Sequence, residues 1–277
     1  MTVLNVKLRR DIFAAKARLA GIVVIIAIGV TIFVCFLSLY FNMELSRRSY
    51  YAQCRLADFW VRVERLPVTE LNRLQKISGI SELRGRISQH LTIDLPNVKQ
   101  PLSGTLVSLP ADPKPVINNI VMRRGSYFTG LRRDEVIVNE AFARKRGLKP
   151  GDHLYVLLND RRHEVVVIGT AISAEFAFTL APGSIVPDIG SYGVLYVTHE
   201  FAEDIMNLNG ATNEIVGLMT PEFRQYSQVV LRQLEQQIRR HGEPTTTPRS
   251  QQLSHSQIDT AIQQLQALSL IAPPIFL

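Results

Sequence analysis

Cysteine is scarce in this chain of 277 residues, which contains only Cys35 and Cys54. Cys35 lies inside a long apolar stretch and Cys54 follows that stretch, so we expect no disulfide between them. A disulfide framework of the kind that stabilises small secreted domains is therefore excluded. The folded part of the chain has to be stabilised by its hydrophobic core.

Motifs for catalysis are also missing. The sequence has no Gly-x-x-x-x-Gly-Lys-Ser/Thr loop, so any ATP has to be bound by a separate partner subunit. His199-Glu200 is not followed by the second histidine of a zinc protease, and His153 and His163 lack the spacing of metal ligands. Gly-x-Ser-x-Gly is absent as well. We therefore predict that the chain is not an enzyme and binds no cofactor or metal of its own.

Basic residues are in excess, but they form no stripe that would bind nucleic acid. The net charge is +7. Residues 1–18 contain five basic groups and one acidic group, and the resulting charge of +4 is more than half of this excess. The remaining excess is spread along the chain without interleaved aromatic residues, so a nucleic-acid partner is not predicted. No aromatic-lined acidic cleft can be recognised in the sequence, and the cargo or ligand is not predicted.

The longest stretch without a charge, Leu19–Met43, predicts a transmembrane helix over residues 19–43. Its 25 residues would extend roughly 37 Å as a helix, and the hydrocarbon core of a bilayer is about 30 Å thick. The basic excess precedes the stretch, so the positive-inside rule places the N-terminus in the cytoplasm and the chain from about Glu44 outside it. A signal peptide is the alternative. Its apolar core is about 7–15 residues long and is followed by small residues, so an uncleaved anchor is favoured.

Two groups of residues around this helix are candidates for contacts. Residues 1–18 form a basic amphipathic segment that would meet lipid headgroups or an ATPase at the cytoplasmic surface, or would only set the topology. A stripe of small residues inside the helix is typical of helix packing in membranes. The surface candidates are Arg9, Arg10, Lys16 and Arg18, and the packing candidates are Ala20, Ala27, Thr31 and Ser38.

Residues 44–220 show the patterns of a mixed α/β domain. Asp58–Val63 alternates as a strand does, and Arg84–Leu95 is predicted as another strand. Glu135–Val138 is a short strand, after which Asn139 is predicted to cap a helix over Glu140–Arg146 that ends at Gly147. The expected fold class is α+β, with a transmembrane helix, an extracytoplasmic core domain and long helices that return to the membrane.

Residues 221–266 have the 3–4 spacing of helices and are predicted as a helical stalk. Phe223–His241 forms the first helix pattern and a second pattern begins near Ser254, with a polar connection between them. Residues 267–277 are almost entirely apolar and too few to cross a bilayer. We interpret them as the start of a second transmembrane helix that is truncated, and a helix docked on the core is the alternative.

Several segments together resemble the ABC transporter permeases of the MacB/FtsX/LolC group. Leu8–Ile22, followed by Ile28-Gly-Val30, is similar to the first membrane segment of that group. Val138–Asp152, with the two strands after it, is similar to the periplasmic core domain. Arg249–Ser254 and the apolar residues up to Leu277 resemble the return into the second span.

The resemblance implies a permease subunit of four spans in the inner membrane. Such a subunit forms a homodimer or heterodimer and works with a cytoplasmic ABC ATPase, which binds the ATP. The chain would then couple ATP hydrolysis to movement of its extracytoplasmic domain, for export, lipoprotein release or envelope signalling. A single-pass anchored binding or scaffold module without an ATPase is the alternative function.

Overall fold

The computed structural model describes residues 3–95, 98, 102–159, 161–179 and 190–276. The chain divides into two compact units, one made of residues 1–49 and 258–277 and the other of residues 50–257. The helices are α1 (Val3–Cys54), α2 (Val68–Leu74), α3 (Glu140–Arg146), α4 (His199–Met206), α5 (Ser227–Ile238) and α6 (Leu253–Phe276). The strands are β1 (Phe59–Pro67), β2 (Ile80–Arg86), β3 (Ser88–Asp94), β4 (Leu102–Leu109), β5 (Ile120–Gly125), β6 (Glu135–Asn139), β7 (His153–Leu158), β8 (Arg161–Ser173), β9 (Tyr192–Thr198), β10 (Ala211–Met219) and β11 (Thr245–Pro248).

Helix α1 contains the predicted membrane span. It runs over 52 residues without a break, so the boundaries expected at residues 18 and 43 fall inside one helix. Within the described part of the chain, the Arg18–Cys54 portion of α1 is the one helical segment long and apolar enough to cross a membrane. The helix continues past Glu44 to Cys54 because no glycine or proline interrupts this stretch.

The first layer of the domain is an antiparallel sheet with the strand order β11-β1-β10-β2. Alternate residues of β1 point to opposite faces. Phe59, Val61 and Val63 pack against α5, whose Val230 and Leu234 are buried. This apolar cluster covers one face of the sheet. On the other face Trp60 and Val216 are buried in a second apolar cluster, and Arg62 and Glu214 lie beside them.

Helix α5 therefore belongs to the domain rather than to a separate stalk. The sequence predicted a stalk over residues 221–266, but the apolar stripe of α5 is the second half of the core of the small sheet. The polar connection expected after α5 contains strand β11, which pairs with β1 and extends the same sheet. The sequence pattern shows an amphipathic helix in either case and does not tell which surface it covers.

The second layer is a closed barrel. Strands β8, β6, β9, β4, β3 and β7 pair in this order, and β7 also pairs with β8, which closes the ring. Strand β5 adds to the outside of the ring by pairing with β8. Apolar side chains fill the barrel, among them Ile93, Leu106, Val138, Val156 and Leu195. Its architecture confirms the predicted α+β class.

Two local predictions are corrected. Arg84–Leu95 is not one strand, because the chain leaves the small sheet after β2 and enters the barrel at β3. Ile87 lies at this crossing and hydrogen-bonds to Ser108, with 2.8 Å from the Ile87 nitrogen to the Ser108 Oγ. Asn139 makes no side-chain cap for α3. Its Oδ1 instead accepts the N–H of Val194, at 2.8 Å, because the neighbouring strand offers a donor there.

Replacing Gly125 by alanine should destabilise the domain. Gly125 has a φ of +71°, and a Cβ atom added to it would lie 2.1 Å from the carbonyl oxygen of Ile168. Gly130, with a φ of +73° and open space around it, is the matched control. We expect Gly125→Ala to lower the free energy of unfolding by about 1–3 kcal/mol more than Gly130→Ala, because only the first adds a backbone clash to the cost of the left-handed conformation. Urea unfolding in detergent measures this difference, and equal effects of the two variants would contradict it.

Candidate functional site

A buried charge cluster lies where the small sheet meets the barrel. Arg86, at the end of β2, donates from Nε to Glu214 Oε2 at 2.6 Å and from Nη1 to Glu175 Oε2 at 2.8 Å. Its exposed fraction is 1 %, and those of Glu175 and Glu214 are 5 % and 3 %. We call Arg86, Glu175 and Glu214 the charge cluster. It brings together strands β2 and β10 of the small sheet and the segment that follows β8 of the barrel.

Further hydrogen bonds stabilise the Glu175 carboxylate of the charge cluster. Trp60 Nε1 donates to Glu175 Oε1 at 2.7 Å, and Asn118 Nδ2 donates to Glu175 Oε2 at 2.9 Å. Burial alone would lower the pKa of Arg86, but Glu175 and Glu214 raise it above its ordinary value. The guanidinium therefore stays charged, and its fixed fork orients both carboxylates. Such a cluster fixes the arrangement of the two layers.

A groove opens beside the charge cluster, between β1 and β11 on one side and the barrel on the other. The face of β1 that does not pack against α5 carries Trp60, Arg62 and Glu64, and the outer face of β3 carries Ser88 and His90. Two adjoining cavities, of about 280 and 440 Å3, share Arg62, Ser88, His90 and Thr245. We call this continuous space the inter-sheet groove.

Hydroxyl groups of the barrel form part of the groove floor. The Tyr192 hydroxyl lies 3.1 Å from His90 Nδ1 and hydrogen-bonds to the hydroxyl of Thr105. Phe176 adds an aromatic ring to the lining. The groove is thus polar, with aromatic rings at its inner end and charged side chains along it.

A second constellation fixes the start of α6 to the end of α1. Arg249 donates from its backbone nitrogen to the Asp58 carbonyl oxygen at 2.8 Å and from Nε to the Ala57 carbonyl oxygen at 2.8 Å. Its Nη2 contacts the Leu56 carbonyl oxygen and lies 2.8 Å from Asp58 Oδ1. Asp58 Oδ2 also accepts the N–H of Met219, at 2.8 Å. We call these contacts of Arg249 and Asp58 the root clamp.

The root clamp and the charge cluster are connected through Glu175. Ser254, in the first turn of α6, is fully buried, and its Oγ lies 2.7 Å from the Glu175 carbonyl oxygen. Gln252 Nε2 donates to the same oxygen at 2.6 Å. The carboxylate of Glu175 binds Arg86, so one residue joins the start of α6 to the centre of the domain.

Helices α1 and α6 also contact each other in the unit that contains the apolar helix. Arg47 Nη1 lies 2.8 Å from Asp259 Oδ1, and Arg47 Nη2 lies 2.6 Å from Glu44 Oε2. Arg47 is therefore held by two carboxylates, one from its own helix and one from α6. The two helices are therefore joined by a charged contact within this unit.

The structure does not bring together the site residues that the sequence predicted. Ala20, Ala27, Thr31 and Ser38 are exposed on α1, and the Thr31 hydroxyl donates to the Ala27 carbonyl oxygen at 2.7 Å. Their role in helix packing stays a prediction.

Of the basic candidates, Arg9 and Arg10 have side chains outside the described set. The Lys16 Nζ lies 3.5 Å from the centre of the Phe13 ring, and Arg18 is exposed. A contact with an ATPase or with lipid headgroups also stays a prediction.

A serine, a histidine and a carboxylate lie close together without forming an enzyme site. Ser108 Oγ lies 3.0 Å from His199 Nδ1, and His199 Nε2 lies 3.5 Å from Glu203 Oε1. Ser108 is fully buried, and its Oγ accepts the Ile87 N–H, so no substrate reaches it. Among the residues that the structure describes, no three histidine, cysteine, aspartate or glutamate side chains are grouped to hold a metal ion.

Sequence reasoning missed Arg86, Glu175 and Glu214. Arg86 is 89 residues from Glu175 and 128 residues from Glu214 along the chain, and each of the three lies in or beside a segment whose pattern indicates only a strand or a loop. The alternation of Trp60, Arg62 and Glu64 in β1 was the one signal available. It showed a polar face, but nothing in it pointed to the partner of that face.

Comparison with known proteins gives structural neighbours only. The sequence matches no family model and no curated protein. A structure described as the extracellular domain of the noncanonic ABC-type transporter YknZ from Gram-positive bacteria is 14 % identical, with a TM-score of 0.40, over 66 % of this chain and 89 % of that one. The periplasmic region of MacB from Actinobacillus actinomycetemcomitans is also 14 % identical, with a TM-score of 0.43, over 75 % and 92 % of the two chains.

Proposed function

We propose that the chain is a membrane-spanning subunit of an ABC transporter. In this proposal a cytoplasmic ATPase hydrolyses ATP and moves the membrane helices, and the extracytoplasmic domain moves with them for export, lipoprotein release or envelope signalling. The subunit works as a homodimer or heterodimer in the inner membrane. Its N-terminus lies in the cytoplasm, because the basic excess of residues 1–18 precedes the apolar stretch.

The observation that carries the proposal is the root clamp. A domain that is only displayed on an anchor needs a tether, and a flexible one is sufficient. Here α1 continues as a helix to Cys54, and α6 begins at Leu253. Arg249, shortly before α6, binds two backbone carbonyl groups and one carboxylate in the residues that directly follow α1. A direct contact between the chain segments next to both helices supports transmission of movement into the domain.

Charge and burial make this attachment firm. The Arg249 side chain is three-quarters buried and that of Asp58 is 8 % exposed, so water competes weakly for their contacts. Burial lowers the pKa of Arg249, and Asp58 opposes this shift. Hydrogen bonds to a charged group contribute roughly 1.5–3 kcal/mol each. We therefore expect the clamp to stay closed while the helices move.

Photocrosslinking from the N-terminal segment tests the proposal. A photoreactive residue in place of Arg10, in cells that produce the full chain, should capture a nucleotide-binding ATPase subunit that mass spectrometry identifies. The same residue in place of Glu200, an exposed position on α4, is the matched control and should not capture it. If Arg10 crosslinks only to lipid or to no ATPase, the coupling proposal is refuted and the anchored binding module becomes the better explanation.

The orientation has its own test. In a chain without Cys35 and Cys54, a cysteine at position 200 should react with a membrane-impermeant maleimide in cells with a permeable outer layer, and a cysteine at position 10 should react only after lysis. The reverse pattern would contradict the proposed orientation and, with it, an ATPase contact at residues 1–18.

A further inference from the structure

The charged side chains that line the inter-sheet groove favour a ligand of positive charge. Its lining carries four carboxylates and two guanidinium groups. Arg86 is neutralised within the charge cluster, and Arg62 Nε lies 3.2 Å from Glu214 Oε1. The charged residues of the lining are Arg62, Glu64, Arg86, Glu175, Glu214 and Glu243. The groove therefore has an excess of negative charge, although the whole chain is positive.

The excess is located at one end of the groove. Glu64 and Glu243 are exposed there, and neither forms a salt bridge with any residue that the structure describes. A Cβ atom placed on Gly242 would lie 3.6 Å from Glu64 Cβ, so Glu243 follows in the chain directly beside Glu64. Carboxylates at the same end of the groove repel each other, and a cation bound there would reduce this repulsion.

An independent feature of the groove is the hydroxyl group of Ser88. Ser88 is 6 % exposed, and it lines both cavities. Its backbone N–H and carbonyl group bind the side chain of Asn213, at 2.8 and 3.0 Å. The hydroxyl itself makes no hydrogen bond with any described residue. A polar group that is nine-tenths buried and faces a cavity without a partner is ready to accept a hydrogen bond from a ligand.

We infer that the inter-sheet groove binds a ligand that carries an ammonium or guanidinium group. Glu64 and Glu243 attract the cation, and the Ser88 hydroxyl and the Thr245 side chain offer oxygen atoms further in. The aromatic rings of Trp60, Phe176 and Tyr192 line the inner end and suit an apolar part of the ligand. The inference goes beyond the proposed coupling to an ATPase and does not depend on it.

The position of the groove gives such a ligand an effect on the domain. One wall belongs to the small sheet and the other to the barrel, so a ligand bound by Glu64 and Glu243 on the first and by Ser88 on the second contacts both layers. The charge cluster at the inner end connects through Glu175 to Ser254 at the start of α6. Ligand binding would thus stabilise the packed arrangement of the two layers.

Binding of trilysine amide to the full chain in uncharged detergent micelles tests the inference. We expect trilysine to bind and its fully acetylated form to bind at least 10-fold more weakly. The double variant Glu64→Gln/Glu243→Gln should weaken trilysine binding about 10-fold, which corresponds to about 1.4 kcal/mol. The control Glu200→Gln removes an exposed carboxylate outside the groove and should bind as the unchanged chain does.

The measurement separates the groove from general charge attraction. A chain with a net charge of +7 repels a cationic peptide overall, so binding has to come from a local site. The fluorescence of Trp60, the single tryptophan, verifies that the variants are folded. Absent trilysine binding, equal binding of the acetylated peptide, or unchanged binding in the double variant would each overturn the inference. None of these results would affect the crosslink expected from position 10.

Discussion

Replacing Arg86 by methionine is expected to lower the free energy of unfolding of the domain by about 3–5 kcal/mol. The substitution keeps most of the side-chain volume and removes the charge. Glu175 and Glu214, which are 5 % and 3 % exposed, would then be buried together without their shared cation. Removal of one partner from a buried ionic group costs more than the group contributes, because the remaining charges keep their desolvation penalty. Urea unfolding followed by the fluorescence of Trp60 measures the change, since its indole donates to Glu175.

The chain offers a matched control for this result. Arg62 binds the same Glu214 carboxylate, at 3.2 Å, but its side chain is 52 % exposed. We expect Arg62→Met to change the free energy of unfolding by less than about 1 kcal/mol, because water replaces an exposed ion pair at little cost. Similar losses of unfolding free energy in Arg86→Met and Arg62→Met would show that burial of the charges does not cause the destabilisation. The charge cluster would then not be what fixes the arrangement of the two layers.

A triple variant tests the physical reason directly. In Arg86→Met/Glu175→Gln/Glu214→Gln no formal charge remains in the cluster, and the amides keep acceptors for Trp60 and Asn118. We expect this variant to regain part of the stability that Arg86→Met loses. A triple variant less stable than the single one would mean that the carboxylates contribute without Arg86.

The sequence was sufficient to predict the local elements whose signals lie within a few residues. The alternation at Asp58–Val63 predicted β1, and Gly147 marked the end of α3, where it takes a φ of +70°. The uncharged stretch predicted α1. Each signal depends on neighbouring residues only: a period of two, a left-handed backbone, or an absence of charge.

The arrangement of the elements could not be predicted in the same way. The interruption at Ile87 separates two sheets, but the apolar pattern passes through it unchanged, and so one strand was expected. The stripe on α5 fits a stalk and a core helix equally well until the apolar face of β1 is known. Side-chain choices such as that of Asn139 depend on a neighbour 55 residues away in the chain.

The inter-sheet groove shows the same limit for function. Glu64, Ser88, Tyr192 and Glu243 come from four separate segments, and none of these segments is acidic or aromatic by itself. No single segment of the sequence indicates an aromatic-lined acidic cleft, although the folded domain forms one from residues of separate segments. The cleft exists because period-two alternation in β1 and β3 directs polar side chains from two sheets into one space.

Replacing Arg249 by methionine is expected to open the root clamp without unfolding the rest of the domain. The substitution removes the contacts to the Leu56 and Ala57 carbonyl oxygens and to Asp58. Two or more hydrogen bonds to a charged group are lost, and water compensates for part of this loss because the Arg249 side chain is 25 % exposed. The free energy of local opening should therefore fall by about 2–3 kcal/mol. Hydrogen exchange measured by mass spectrometry should then be roughly 30- to 150-fold faster over residues 54–58 and 245–254. The amide hydrogens of the strands that form the barrel should exchange at the same rate as in the unchanged chain.

Arg224→Met is the control, because Arg224 contacts the same Asp58 carboxylate at 3.4 Å from a half-exposed position and reaches neither helix end. Its exchange should stay within a few-fold of the unchanged chain. If the root clamp transmits movement, Arg249→Met should also abolish partner-dependent function in cells while the chain still reaches the membrane, and Arg224→Met should not. Fast exchange together with full function in Arg249→Met would show that the root clamp is not needed to couple the domain to the ATPase. The domain would then need only a tether, and its function would have to be sought in the groove.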